Sequence, residues 1–230
     1  QTPFEFMTIV HGSDFSEILR PGSFCKDQRS VAQAYGSDPE VLAYAQKEWK
    51  KMEHISKPLQ LTFSVTNLTL MADWIYTYHC NDQRLPSYVT KEDMIKSHKI
   101  LGKLFSRYYH GNGLVYASYS LREVLRIVNE SINQYKNNTN DRLKFGVFSA
   151  HDSSVSGFLS YFNVPIKMLP PYASHLLVDV FELKNEIYIR WSYNGEVISM
   201  KSFGGNEQYA QYSAFLKNIQ EIYEVCKELP

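Results

Sequence analysis

The chain has 230 residues, 44% of them apolar, which is enough for one ordinary domain, or a domain with a subdomain, around a sizeable core. Its 24 basic and 24 acidic residues cancel and no Lys/Arg run exceeds Lys50-Lys51, so the cationic footprint that nucleic acid or an anionic membrane requires is missing. No apolar stretch approaches the ~20 residues that span a bilayer, since even Leu61 to Tyr78 is interrupted by Asn67 and Asp73.

Gln1-Thr2-Pro3-Phe4 lacks an initiator Met and the basic and apolar regions of a signal peptide, so a processed chain, or one with further residues upstream, is expected. Asp38-Pro39 is a cap with a first-turn proline. Val41, Leu42, Ala45, Trp49 and Met52 follow at spacings of three and four, predicting an amphipathic helix over 38–55. After Pro58, residues 59–78 read as a second helix, weakened by β-branched side chains. Thr90 caps a third, with Glu92 and Asp93 in its first turn and an apolar stripe running from Met94 to Tyr108 until Gly111-Asn112-Gly113 breaks it. Leu121, Val124, Leu125, Val128 and Ile132 predict a fourth, ending at the polar cluster 136–141.

The pattern then changes. Leu143 to Ala150 is a short apolar run after a turn signal and predicts a buried strand; at His151-Asp152-Ser153 a new helix starts, capped by Asp or Ser. Residues 175–183 and 186–193 predict two strands joined by Lys184-Asn185, with a third around 197–201 after Asn194-Gly195. Residues 208–229 close the chain as an amphipathic helix carrying Tyr212, Phe215, Leu216, Ile219, Ile222 and Tyr223. There is no internal repeat. The expected division is 1–112, mainly helical, and 113–230, α/β.

Cys25, Cys80 and Cys226 are too few for a disulfide framework and form no C-x-x-C pair; buried thiols and a single long-range bridge are both open readings. Asn67-Leu68-Thr69, Asn129-Glu130-Ser131 and Asn137-Asn138-Thr139 are glycosylation sequons, which would be acceptors in a secreted protein, although such tripeptides are common by chance. His54, His79, His98, His110 and His175 have no metal-ligand spacing.

Ser149 to Gly157 carries the chemistry. Residues just past the carboxyl end of a buried strand project into the crevice where open α/β sheets bind ligands, and the following helix start favours an anion such as phosphate. On residue types alone a structural alternative stands beside this: Asp152 caps the helix and His151 satisfies a carbonyl.

Ala150-His151-Asp152-Ser153-Ser154-Val155-Ser156-Gly157 resembles the second active-site motif of the histidine acid phosphatases of the prostatic and lysosomal type. Leu169-Pro170-Pro171-Tyr172-Ala173-Ser174 resembles the Pro-Pro-Tyr-Ala-Ser stretch of that family, and Cys80 with Leu85-Pro86-Ser87-Tyr88 its cysteine and Leu-Pro-Ser-Trp segment. The resemblance implies a histidine phosphatase (phosphoglycerate mutase-like) α/β fold, a mainly parallel sheet flanked by helices with a helical cap. It implies a disulfide between Cys25 and Cys226, secretion or a lysosomal location, and no metal or other cofactor. It also implies an acid phosphomonoesterase acting on small phosphomonoesters, of a type that often pairs as a homodimer.

By the same resemblance Asp152 is the proton donor and His151 a phosphate ligand. A carboxylic acid, half-protonated near pH 4 in ordinary surroundings, suits proton transfer at acidic pH. The Arg-His-Gly nucleophile motif of the family has no match. Val10-His11-Gly12-Ser13-Asp14 has Val10 and Asp14 where phosphate-binding arginines are needed. The partner expected for Cys80 falls at His175, and a further cysteine pair is absent at Phe203-Gly204-Gly205. The expectation is therefore a chain that lacks the N-terminal, nucleophile-bearing part and is inactive by itself. The rival expectations are a catalytically inactive scaffold or interaction protein of the same fold, and an unrelated all-helical binding module.

Overall fold

The computed structural model describes residues 25–138 and 143–227. His11 and its neighbours, and Thr139 of the third sequon, lie outside them.

Helices build the first half. The segment α1 (Lys26–Gly36) leads into α2 (Pro39–Lys51), where the Asp38 carboxylate accepts hydrogen bonds from the Glu40 and Val41 N–H groups at 2.8 and 3.4 Å. Met52 ends α2 and starts the short α3 (Glu53–Ser56), so the helix expected over 38–55 is broken there. A turn with Gln60 at φ +54° delays α4 (Val65–Cys80), which begins at Ser64 rather than Leu59 because the Ser64 hydroxyl accepts from the Asn67 N–H at 2.9 Å. A reciprocal cap opens α5 (Lys91–Tyr109): Thr90 Oγ1 accepts from the Asp93 N–H, and the Asp93 carboxylate accepts from the Thr90 N–H. Gly111, at φ +72°, ends it, and α6 (Gly113–Lys136) starts at once, well before Leu121.

Packing falls into two apolar clusters. One joins α2 to α5 through residues such as Ala45, Ile55, Leu68, Ile75 and Leu101; the other gathers Leu121 and Leu125 of α6, Phe158 of α7 (Asp152–Tyr161), Trp191 and Phe215. Helices α6 and α7 approach closely at two glycines. A Cβ on Gly113 would lie 2.1 Å from the Tyr161 nitrogen, and one on Gly157 would lie 2.9 Å from Tyr116 Cβ. These contacts hold the middle and the end of α7 against the first turn of α6.

The sheet is antiparallel. Strands β1 (Leu176–Leu183) and β2 (Glu186–Tyr193) pair with Val178 opposite Trp191, joined by Lys184 and Asn185 at φ +53° and +64°, the signature of a tight primed turn. Short β3 (Glu196–Val197) and β4 (Ala210–Gln211) flank the other side of β2, which leaves β1 at an edge. The chain is thus mixed helix and sheet, compatible with an α/β fold, but the described sheet contains no parallel pair. Two-residue connections can join only antiparallel neighbours, so this outcome follows from Lys184-Asn185 and Asn194-Gly195. The hairpins also exclude an all-helical module.

The largest correction concerns residues 143–150. They run without helix or ladder pairing and are exposed throughout, Phe145 at 72% and Val147 at 76%. Apolar composition marks a segment that can be buried, but a strand also needs a neighbour, and no described residue pairs with this one. At the C-terminus, the expected helix over 208–229 becomes β4, the short α8 (Tyr212–Asn218) and a tight turn of helix at Gln220–Tyr223. The third expected strand shrinks to Glu196–Val197.

Cys25 and Cys226 form a disulfide, the pair that the resemblance implied. Around it, Asp27 accepts the Cys226 N–H at 2.9 Å, and the Arg122 guanidinium donates to the carbonyls of Ile222, Val225 and Cys226 at 2.9–3.2 Å. These contacts tie the first helix and the last turn to α6. No helix among the described residues is long and apolar enough to cross a membrane.

Candidate active site

His151 and Asp152 stand where an extended segment turns into a helix. His151 is extended at φ −121° and ψ 163°, and its carbonyl accepts the first α7 bond, from the Val155 N–H at 3.1 Å. Asp152 Oδ1 accepts from the adjacent Ser153 N–H, at 2.6 Å, and the His151 side chain at the cap position makes no capping bond. Both residues are exposed. The two side chains line a groove of about 1150 Å³. The positive end of the α7 dipole lies at the same place, a setting favourable to an anion.

Several elements wall the groove. Asp73 and Tyr76 contribute from α4, Val124 and Val128 from α6, and Leu177 and Val180 from the exposed edge strand β1. The unpaired run 143–148 also lines it, anchored at one end by the Ser131 hydroxyl, which donates to the Leu143 carbonyl at 2.8 Å. Tyr135 donates to Glu182 at 2.5 Å between α6 and the end of β1.

The loop after α7 crosses between the two apolar clusters. Leu169, 4% exposed, is buried with the helical cluster, and Gly102 on α5 admits the loop: a Cβ there would lie 2.9 Å from Met168 Cα. Tyr172 stacks on Tyr76, centroids 6.0 Å apart and planes 8° from parallel, and its hydroxyl donates to Thr77 Oγ1 at 3.3 Å. The His98 ring packs edge-on against Tyr76 at 5.0 Å. Ala173, in the left-handed region at φ +61°, turns the chain so that the Ser174 N–H reaches the Pro171 carbonyl, and the His175 N–H then bonds to Asn194 at 2.9 Å. The Pro170–Ser174 stretch is thereby held against α4 and lines the groove that His151 and Asp152 also line.

Charge in the groove is mostly negative. Asp73, Asp152, Asp179 and Glu182 line it, against Lys144 and the imidazoles of His151 and His175; no arginine among the described residues does so. Asp179 is offset by Arg190 at 2.7 Å. Burial, and then the nearby Asp152 carboxylate, push the Asp73 carboxyl above its ordinary value. As described, this surface holds a candidate proton donor but not the cationic cradle that a phosphate dianion needs.

Sequence reasoning missed Asp73 and Tyr76. Asp73 registered only as an interruption of an apolar stretch; it lies exposed on α4, next to the buried Ala72. Cys80 is free and exposed. Asn67 and Asn129 lie within helices with their amides engaged, Asn67 donating to the Thr62 carbonyl at 2.9 Å and Asn129 accepting from the Tyr212 hydroxyl at 2.9 Å. Asn137 is the residue that ends α6.

No protein-family model matches the chain. It is similar to Counting factor 60 of Dictyostelium discoideum, 29% identical over 128 residues, which is 55% of this chain and 30% of that protein. It is also similar to human prostatic acid phosphatase, 30% identical over 132 residues, or 54% of this chain and 32% of the relative. Bovine prostatic acid phosphatase gives 30% identity over 120 residues, 49% of this chain and 29% of the relative. The chain thus spans about a third of the length of the curated relatives it matches. A distant relationship of the histidine acid phosphatase kind is what these matches support.

Proposed function

We propose that this chain contributes the proton-donor half of an acid phosphatase that hydrolyses small phosphomonoesters through a phosphohistidine intermediate. The nucleophilic histidine and the phosphate-binding arginines are supplied by a segment upstream of these residues. The observation that carries this reading is that His151 and Asp152, at the start of α7, line the same open groove as the Pro170–Ser174 stretch. The distant similarity to prostatic acid phosphatase adds support.

In the first step the upstream imidazole attacks phosphorus, a P–N bond forms and the P–O bond to the alcohol breaks. Asp152, as the carboxylic acid, gives its proton to the departing alkoxide. In the second step the Asp152 carboxylate takes a proton from water, which attacks phosphorus and releases inorganic phosphate and the free imidazole. His151 donates a hydrogen bond to a phosphoryl oxygen as charge builds there, and the α7 dipole acts in the same sense.

The groove also suggests how the site is completed. Phe145 and Val147 on one side, and Leu177 and Val180 of edge strand β1 on the other, present apolar side chains and unpaired backbone to the same space. An inserted strand would satisfy both, and it would bring arginines to a groove that now carries an excess of acids. On this reading residues 1–112 serve as a mainly helical cap portion and 113–230 as the C-terminal part of the catalytic core. The Cys25–Cys226 disulfide fits an oxidising compartment, either secreted or lysosomal.

The excess of acids favours one other reading, a scaffold that kept the fold without the chemistry. Rapid mixing of the full-length protein with p-nitrophenyl phosphate at acidic pH, quenched in alkali and digested, separates the two. A phosphorylated histidine and steady release of nitrophenol support the enzyme. The absence of both supports the scaffold.

A further inference from the structure

We infer that helices α2 and α5 form a lysine-lined ridge that binds a linear sulfated polysaccharide. None of its residues lines the groove, so the ridge stands or falls independently of the phosphatase reading.

No run of lysines marks this surface in the sequence, and the chain as a whole is neutral; helical spacing gathers it. Lys96, Lys99, Lys103 and Arg107 fall at i, i+3, i+7 and i+11 of α5, which places them on one stripe, with neighbours about 5–6 Å apart. Glu40, Tyr44, Lys47 and Lys51 form a matching stripe on α2. Contacts at both ends set the two helices side by side. Arg107 donates to Asp38 at 2.8 Å and lies 3.4 Å from Glu40, and His54, just past the end of α2, is 2.9 Å from Asp93 in the first turn of α5. Glu40 thus brings its own stripe against that of Arg107, and the two stripes run antiparallel.

The acids near the ridge are already engaged. Asp38 and Glu40 take Arg107, Glu48 takes Lys51 at 2.7 Å, and Asp93 takes His54, with Lys96 3.7 Å away. Lys47, Lys99 and Lys103 are exposed, and none of them has an acidic residue three or four positions away on its helix. Lys99 and Lys103, at i and i+4, repel each other instead, and Lys103 repeats this with Arg107. Such repulsion weakens α5 and is relieved by an anion supplied from outside.

Chemistry and compartment choose among the polyanions. Lysine presents a point charge that pairs well with scattered sulfates, whereas ordered phosphate recognition favours the arginine fork, and Arg107 is occupied. Single-stranded nucleic acid is held by aromatic rings that stack on bases, but the ring on these stripes, Tyr44, is half-buried. Anionic lipid belongs to the cytoplasmic leaflet, while the Cys25–Cys226 disulfide fits an oxidising compartment. From Lys96 to Arg107 the stripe runs for about 16 Å, which suits an extended chain bearing several sulfates better than one small anion.

The test titrates a heparin octasaccharide into the full-length protein by calorimetry, with single-stranded DNA and phosphatidylserine vesicles as the competing polyanions. Saturable binding that weakens as salt rises is expected. Lys47→Ala, Lys99→Ala and Lys103→Ala combined should weaken it about 100-fold, near 5-fold for each lysine. The same change at Lys136, Lys184 and Lys217, exposed elsewhere, should leave it nearly intact. Lys103→Glu separates binding from folding, because it turns two repulsive pairs into attractive ones: the urea midpoint should rise slightly while octasaccharide binding falls at least about 10-fold. No binding by the parent, equal losses in the two triple variants, or a Lys103→Glu protein that binds like the parent would overturn the ridge. Tighter binding of DNA or vesicles than of the octasaccharide, lost in the ridge triple variant, would overturn the choice of a sulfated polysaccharide.

Discussion

Gly113→Ala sets two effects of opposite sign against each other. An alanine in a helix ordinarily gains up to about 1 kcal/mol over glycine, because glycine loses more backbone freedom on folding. Here the new Cβ would lie 2.1 Å from the Tyr161 nitrogen, 2.4 Å from the Ser160 carbonyl carbon and 2.5 Å from Tyr161 Cα. All three are backbone atoms of α7, so no side chain can swing aside, and α6 and α7 must part by roughly 1 Å to restore normal contact. Overpacking of this kind costs about 1–3 kcal/mol, so the clash wins and a net loss of about 1 kcal/mol is expected. The displaced element is the helix whose start carries His151 and Asp152, and a shift of about 1 Å in a reacting group can cost on the order of 100-fold in rate. Urea unfolding of the variant measures the first effect, and kcat/KM of the full-length protein the second. Gly36→Ala is the control: nothing lies within 4 Å of its Cβ position, and its stability should change by no more than about 0.5 kcal/mol. A Gly113→Ala protein as stable as the parent would refute the close crossing of α6 and α7.

Removing the disulfide with Cys25→Ala and Cys226→Ala together should cost about 2–5 kcal/mol, at the upper end because the closure spans 201 residues; urea unfolding with and without reductant measures it. Arg122→Met strips three carbonyls of a charged donor and should cost about 2–3 kcal/mol, with faster amide exchange at residues 222–226 before the rest of the chain. Asp93 is buried, which pushes its carboxyl up, but hydrogen bonds from Thr90 and His54 outweigh that and hold it below the ordinary range. Its folded pKa is thus lower than its unfolded one. The stabilisation is present above about pH 4 and is lost as pH falls through the folded value, and Asp93→Asn should flatten that part of the pH–stability curve. Phe145→Asn should change the stability of these 230 residues by no more than about 0.5 kcal/mol, because the ring is 72% exposed, yet destabilise the full-length protein if a strand packs there.

Local signals carried the helices well. Asp38-Pro39 and Thr90 with Asp93 mark helix starts because capping is a contact between near neighbours, and the Lys184-Asn185 hairpin is legible for the same reason. Residues 143–150 were not legible, since apolarity states what a segment tolerates and pairing depends on a distant partner. The helix expected over 208–229 failed similarly: its stripe of Tyr212, Phe215, Ile219 and Ile222 is buried, but tertiary contacts with α6 and β2 broke its regularity. Within the site, the His151-Asp152 dipeptide and the Pro170–Ser174 stretch could be found as contiguous motifs. Asp73 and Tyr76 could not, because they reach the groove from a helix some eighty residues earlier in the chain, and only folding brings them to the groove that Asp152 also lines.

The central claim is that Asp152 protonates a departing alkoxide, and leaving-group dependence tests it most directly. Full-length parent and Asp152→Asn proteins would be compared on p-nitrophenyl phosphate, whose leaving group departs as a stable anion, and on an alkyl phosphate, whose alkoxide needs a proton. The expected result is a loss of about 10²–10⁴-fold in kcat/KM on the alkyl ester and a much smaller loss on the nitrophenyl ester. Equal losses on both esters, or none on either, would contradict the assignment of Asp152 as the donor.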